Sequence, residues 1–175
     1  MAASDVLVIL LSAISLYTDL RWKKIYNKVL FPFALAGIIM QSYFHGLKGL
    51  AEGVAGFATG LLLLFIPFVM RQMGAGDVKL LATIGLLKGP QFTMLVFCGA
   101  ALAGGLMSGV LLCRRGRLFS SLYAFAYVTL ARLTRVPIPY AFTPLERAAP
   151  GESIPFGVAV FAGLITAYLF SGLQR

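Results

Sequence analysis

Two aspartates stand out because each lies at the edge of an apolar run. Asp19 follows the uncharged residues 6–18, and Asp77 shortly precedes the apolar residues 80–87. Two carboxyl groups held close together in a region of low polarity do not both ionise easily, so such a pair shares one proton. A pair of this kind can activate a water molecule and donate a hydrogen bond to a carbonyl group, which is acid–base chemistry suited to peptide-bond hydrolysis.

Other residue types offer little competing chemistry. The single histidine, His45, lies in an apolar run far along the chain from both acids, and the two cysteines, Cys98 and Cys113, form no CxxC pair. Two carboxylates could hold a divalent cation, but no further ligands cluster with them in the sequence. We therefore expect no metal and no cofactor.

The composition indicates a membrane protein. Hydrophobic residues make up 59% of the 175 residues and charged residues only 12%, whereas a soluble domain has about 25% charged residues. The mean hydropathy is +0.89. The net charge of +9 fits the basic loops of a membrane protein better than a nucleic-acid site, because no basic patch is interleaved with aromatic residues. We expect the lipid bilayer, and no nucleic acid, as a partner.

The apolar runs predict an all-α bundle of about six transmembrane helices that forms a single domain over residues 1–175. Helices satisfy their own backbone hydrogen bonds in lipid, and strand-like alternation is absent. The runs cover residues 6–18, 29–47, 53–70, 80–87, 89–113, 118–131 and 153–174. Residues 78–88 would rise only about 16 Å, so they predict a short helix that ends at Gly89-Pro90. We expect residues 118–131 to form an interfacial helix, with a further crossing as the alternative.

Basic residues set the predicted orientation in the cell inner membrane. They gather between the first two runs, around residues 71–79 and after the fifth run, so these three loops are predicted to be cytoplasmic. The N-terminus, which has no positive segment typical of a cleaved signal peptide, then lies outside, as does a loop containing Lys48 and Glu52. Asp19 and Asp77 consequently share the cytoplasmic boundary.

Small and polar residues predict how the helices face each other. Ser12, Ser15 and Asp19 recur at helical spacing, so they should form one face that points into the bundle. Glycines four residues apart predict close helix packing; the pairs are Gly49 and Gly53, Gly56 and Gly60, Gly85 and Gly89, and Gly105 and Gly109. Gly74 and Gly76 instead leave backbone uncovered beside Asp77, where a second chain could lie.

These residues resemble a known family. Gly74-Ala75-Gly76-Asp77-Val78-Lys79-Leu80-Leu81 resembles the GxGD-x-K-L-L signature of type IV prepilin peptidases. The segment 19–27, which begins with Asp19 and ends with Ile25-Tyr26-Asn27, is similar to the first-aspartate motif, and Ile154-Pro155-Phe156-Gly157 is similar to a further element. The resemblance implies a membrane aspartic endopeptidase that removes the basic leader of prepilins or pseudopilins of pilus and secretion systems at the cytoplasmic face.

The resemblance also implies roles for individual residues. It makes Asp19 and Asp77 the catalytic pair, and it places Gly74, Gly76 and Lys79 in the motif that we expect to bind the substrate. Tyr26 departs from the proline usual in the family, so the first loop should bend differently. The larger bifunctional members carry paired CxxC motifs and also methylate their product. This sequence has neither those cysteines nor room for such a domain, so it resembles the short, peptidase-only form that serves tight-adherence pili.

Several alternatives stay open at this point. Archaeal preflagellin peptidases, which also use two aspartates, are one alternative assignment. A small transporter would place its acids near the midplane between repeats, whereas here they lie at one face. A non-catalytic scaffold of a pilus or secretion machine would keep the glycine-packed bundle and tolerate the loss of either aspartate.

Overall fold

The computed structural model describes residues 3–70, 73–114 and 156–173, which are helical apart from short connections. The helices are α1 (Ala3–Trp22), α2 (Asn27–Val69), α3 (Ala75–Lys88), α4 (Pro90–Arg114) and α5 (Phe156–Leu173). The all-α prediction is confirmed for this part of the chain. The predicted helix at 118–131 and the residues Ile154 and Pro155 lie outside the described residues.

The chain divides into two compact units. Of the described residues, 3–70, 73–103 and 156–173 belong to one unit, and 104–114 belong to the other. The described part of the second unit is the end of α4, whereas α1, α2, α3, α5 and the beginning of α4 belong to the first. Both aspartates therefore lie in the first unit.

Within the described part of the chain, three helices are long and apolar enough to cross a membrane: α1, α2 and the Pro90–Leu111 part of α4. The apolar part of α5, Phe156–Ser171, is shorter. With 14 residues, α3 rises only about 21 Å, less than the hydrocarbon thickness of about 30 Å. The prediction of a short helix in this place is confirmed.

The long helix α2 is in fact two helices joined at a single residue. Gly46 has φ +58° and ψ −145°, a conformation that costs a residue with a Cβ considerably more than it costs glycine. The chain reverses there, since Gln41 packs against both Gly49 and Gly53. The predicted loop around Lys48 and Glu52 is therefore wrong: both residues are helical, because one glycine suffices for the reversal.

At the centre of the first unit lies α3, which is buried along nearly its whole length. The second half of α2 lies against it through glycines, with Gly56 on Gly85 and Gly60 on Ala82. Such contacts bring two backbones together without side chains between them. Gly89, with φ +82°, ends α3 by donating its N–H to the Gly85 carbonyl at 2.7 Å.

The packing predicted for the glycine pairs is thus found at α2 and α3. In α4, by contrast, a Cβ added at Gly105 or Gly109 would meet no described atom within 4 Å. Gly99 in the first half of α4 does pack on Gly163 of α5.

The contact between Gly56 and Gly85 predicts the effect of one added methyl group. A Cβ at residue 56 would lie 2.7 Å from the Gly85 carbonyl carbon and 2.8 Å from that of Gly89, so the backbones must separate. We expect Gly56→Ala to destabilise the protein by about 1–3 kcal/mol, measured by thermal unfolding in detergent. Gly105→Ala is the matched control, and an equal melting temperature for the two variants would contradict the packing.

Candidate active site

Asp19 lies in the last turn of α1 and is only 7% exposed. The helix ends just beyond it, where Lys23 adopts φ +51° and donates its N–H to the Asp19 carbonyl at 2.8 Å. Ser12 and Ser15 are buried on the same face, which confirms the predicted polar face of α1. Their hydroxyl oxygens have no hydrogen-bond partner among the described residues.

Asp77 lies in the first turn of α3, outside the segments long enough to cross a membrane. Gly74 precedes the helix and donates its N–H to the Oδ2 atom of Asp77 at 3.2 Å, while the Asp77 N–H donates to the Gly74 carbonyl at 3.2 Å. This reciprocal arrangement satisfies two of the backbone groups at the start of the helix. It also fixes the Asp77 carboxyl group against the loop that contains the glycines.

The two carboxyl groups are electrostatically coupled. Burial raises the pKa of Asp77 to about 6, the Gly74 N–H lowers it, and the nearby negative charge of Asp19 raises it. The end of α1 and the beginning of α3 therefore hold the two acids near enough to interact, and Asp77 stays partly protonated up to about pH 6.

The first turn of α5 completes the surroundings of Asp19. The Gly157 N–H donates to the Oδ2 atom of Asp19 at 2.6 Å. Backbone N–H groups at the start of a helix lack helical acceptors and bind anions. A Cβ at residue 157 would lie 2.9 Å from this same Oδ2 atom, so glycine is what lets the amide approach.

Gly76 contacts the connection between α1 and α2. A Cβ at residue 76 would lie 3.0 Å from the Ile25 Cβ and 3.1 Å from the Ile25 carbonyl oxygen. Gly74, by contrast, is exposed, and its added Cβ would find, among the described residues beyond its chain neighbours, only Asp77 and Gly76 within 4 Å.

Lys79 contacts the first residue of α2, because its Nζ donates to the Asn27 Oδ1 at 3.1 Å. The segments that carry the two aspartates are thus joined by two contacts, Gly76 with Ile25 and Lys79 with Asn27. Among the described residues, no three His, Cys, Asp or Glu side chains come together as a metal site would require.

Sequence reasoning identified both aspartates but missed their neighbours. The Gly157 amide was not recognised as a partner of Asp19, nor Asn27 as a partner of Lys79. The signal was present, since all four residues lie in the three segments on which the family resemblance was based. Those segments are widely separated along the chain, and the resemblance alone did not say which atoms meet.

The contact between residues 25 and 76 predicts a disulfide bond. With the exposed Cys98 and Cys113 replaced by serine, the pair Ile25→Cys and Gly76→Cys should oxidise readily. The two Cβ atoms need to move apart only slightly to reach the separation of about 3.5–4.5 Å that suits a disulfide.

Protection of the thiols from a maleimide reagent measures the bond, and reduction should restore labelling. Ile25→Cys with Glu52→Cys is the control, since Glu52 lies beside Gly53, which packs on Leu86 near the other end of α3. Equal protection of the two pairs would contradict the geometry.

Comparisons with known proteins agree with this site. The model of the type IV leader peptidase family matches residues 6–109, a range that includes both aspartates. A prepilin leader peptidase/N-methyltransferase of Bacillus subtilis is 29% identical over 156 residues, which cover 87% of this chain and 50% of that protein. The chain thus spans about half the length of this curated relative. No solved structure matches it. Because the family model covers more than half of the sequence and both carboxyl groups, the chain belongs to the type IV leader peptidase family.

Proposed function

We propose that this protein is a membrane aspartic endopeptidase that cleaves the leader peptide from prepilin or pseudopilin substrates. The observation that supports this best is the proximity of the two acids, which are far apart in sequence: Gly76, beside Asp77, contacts Ile25 shortly after the end of α1, and after burial the charge of Asp19 also raises the pKa of Asp77. The family and the name of the relative support leader-peptidase activity. Methyl transfer is part of the name of the relative and is not part of this proposal.

We assign different roles to the two carboxyl groups from their surroundings. Asp19 accepts the Gly157 N–H at the start of α5, an arrangement that binds a carboxylate as an anion. Asp77 has a raised pKa and so supplies the protonated group. Asp19 removes a proton from water as the water oxygen attacks the scissile carbonyl carbon, and Asp77 gives its proton to the carbonyl oxygen. As the tetrahedral intermediate collapses, the C–N bond breaks, Asp19 gives the proton taken from water to the leaving amine nitrogen, and Asp77 takes its proton back from the oxygen that becomes the new carbonyl.

Substrate binding is proposed at the loop before α3. Gly74 is exposed and carries no side chain, so an extended peptide can lie directly against the loop beside Asp77. Gly76 and Lys79 contact Ile25 and Asn27. We propose that these two residues act on the substrate by holding the α1–α2 connection beside it.

The site is proposed to face the cytoplasm of a cell whose inner membrane holds the protein. Basic residues lie around the aspartate end of α1, and positive charge near the ends of membrane helices favours the cytoplasmic side. These residues are Arg21, Lys23, Lys24 and Lys28. A substrate leader that remains in the cytoplasm would reach the site from that side.

Amide substitutions test the catalytic pair. Asp19→Asn and Asp77→Asn keep the size of the side chain but remove the titratable group, so each alone should reduce cleavage by about 10²–10⁴-fold or more. The double variant should be little worse than either single one, because the two groups act in one step. Conversion of prepilin to mature pilin, followed by gel mobility in membranes with matched expression, measures the effect.

Glu52→Gln is the matched control, an exposed acid changed to its amide away from the site. Processing at the wild-type rate by either aspartate variant would exclude the aspartic mechanism and leave a non-catalytic scaffold as the better interpretation. Exposed ion pairs contribute only about 0–1 kcal/mol, so a purely interfacial role predicts a modest loss.

The pH dependence tests the assignment of roles. Because Asp77 must be protonated and its pKa is about 6, kcat/KM should fall about tenfold per unit as the pH rises above that value. Uptake of a second proton by the pair should reduce the rate at acidic pH, which gives a bell-shaped profile whose two apparent pKa values belong to the pair. The measurement is cleavage in detergent between about pH 4 and pH 9. A flat profile would count against a shared proton.

A further inference from the structure

A second polar cluster lies at the other end of the same helices. Asp5 at the beginning of α1 forms an ion pair with Lys88 at the end of α3. The Tyr168 hydroxyl of α5 donates to the Asp5 Oδ1 at 3.0 Å. The Lys88 Nζ also lies 5.2 Å from the ring centre of Phe92 and 5.6 Å from that of Tyr168.

This cluster, defined as Asp5, Lys88 and Tyr168, is largely shielded from solvent. The side chains of Lys88 and Asp5 are 19% and 14% exposed. An exposed ion pair contributes little, but removing one partner of a buried pair leaves an uncompensated charge and is strongly destabilising. The aromatic rings beside Lys88 further favour a cation in this place.

The position of the cluster relates it to the aspartates. Because Asp5 at the beginning of α1 meets Lys88 at the end of α3, and Ile25 just after α1 contacts Gly76 at the beginning of α3, α1 and α3 run antiparallel. The same three helices meet at both ends, since α5 contributes Tyr168 to the cluster and Gly157 to Asp19. A sliding of α1 along α3 by one residue would displace Asp19 by about 1.5 Å relative to Asp77.

Apolar surfaces alone restrain such sliding weakly in lipid, because lipid chains are as apolar as the helix surfaces. A shielded ion pair is different, because a slide of α1 along α3 would separate its charges and break the Tyr168 hydrogen bond to Asp5. The cluster therefore supplies the directional contact that the apolar parts of α1 and α3 lack.

We propose that the cluster of Asp5, Lys88 and Tyr168 fixes the register of α1, α3 and α5 and thereby positions Asp19 and Asp77 for catalysis. This inference rests on the proposed peptidase function. The three residues are positioning residues, because they lie at the opposite ends of the helices and do not touch the reacting atoms.

The experiment combines kinetics with the disulfide described above. Lys88→Gln and Asp5→Asn should each lower kcat on the order of tenfold with little change in KM, because the substrate loop is left intact while the carboxyl groups shift. In the background that carries Ile25→Cys and Gly76→Cys, each variant should also slow disulfide formation. Lys88→Arg should retain both properties. The double neutral variant should be no worse than the more severe single one.

Lys48→Gln is the matched control, because Lys48 is an exposed lysine of α2. A wild-type kcat for Lys88→Gln would overturn the proposal, and so would a lowered kcat with a wild-type rate of disulfide formation. If Lys88→Gln fails to fold, Tyr168→Phe serves instead, because it removes only the hydroxyl donor to Asp5. It should lower kcat and slow disulfide formation by smaller factors. Unchanged values of both quantities in Tyr168→Phe would also overturn the proposal. The disulfide rate does not depend on cleavage, so it still reports on register if Asp19→Asn proves active and the proposed peptidase function fails.

Discussion

The structure depends on one constraint: two carboxyl groups that would repel each other if both were charged must lie close together. The chain meets it by placing them in unlike surroundings. Asp19 is buried and accepts a backbone amide of α5, whereas Asp77 lies at the edge of α3 and has a pKa raised to about 6. One group is thereby suited to carry charge and the other a proton. The two roles arise from helix ends and burial.

The helices that hold the two acids are kept close by the absence of side chains. The α2 backbone contacts the α3 backbone at Gly56 and Gly60, and the α5 backbone contacts the Asp19 carboxyl group at Gly157. Each of these contacts would be lost to a single methyl group. Because α3 is too short to cross a bilayer, it needs contacts with neighbouring helices to stay in place. The close backbone contacts supply them and so fix the position of Asp77.

Local patterns in the sequence predict much of this arrangement. The short α3, its end at Gly89 and the buried polar face of α1 follow from residue spacing, and the two aspartates follow from their place at the edges of apolar runs. The turn at Gly46 does not follow from residue spacing, because any of several residues near it could end a helix. The packing of the two halves of α2 decides at which residue the chain turns. The bond from Gly157 to Asp19 joins residues 138 positions apart, and no local pattern contains it.

That long separation has a consequence for the order in which the protein is made. Asp19 emerges from the ribosome early, but the amide that binds it belongs to residue 157, and the residues of α5 are synthesised after those of α1 to α4. A nascent chain that has inserted α1 to α4 therefore holds both acids without the donor that orients one of them. Completion of the site thus waits for the synthesis of α5.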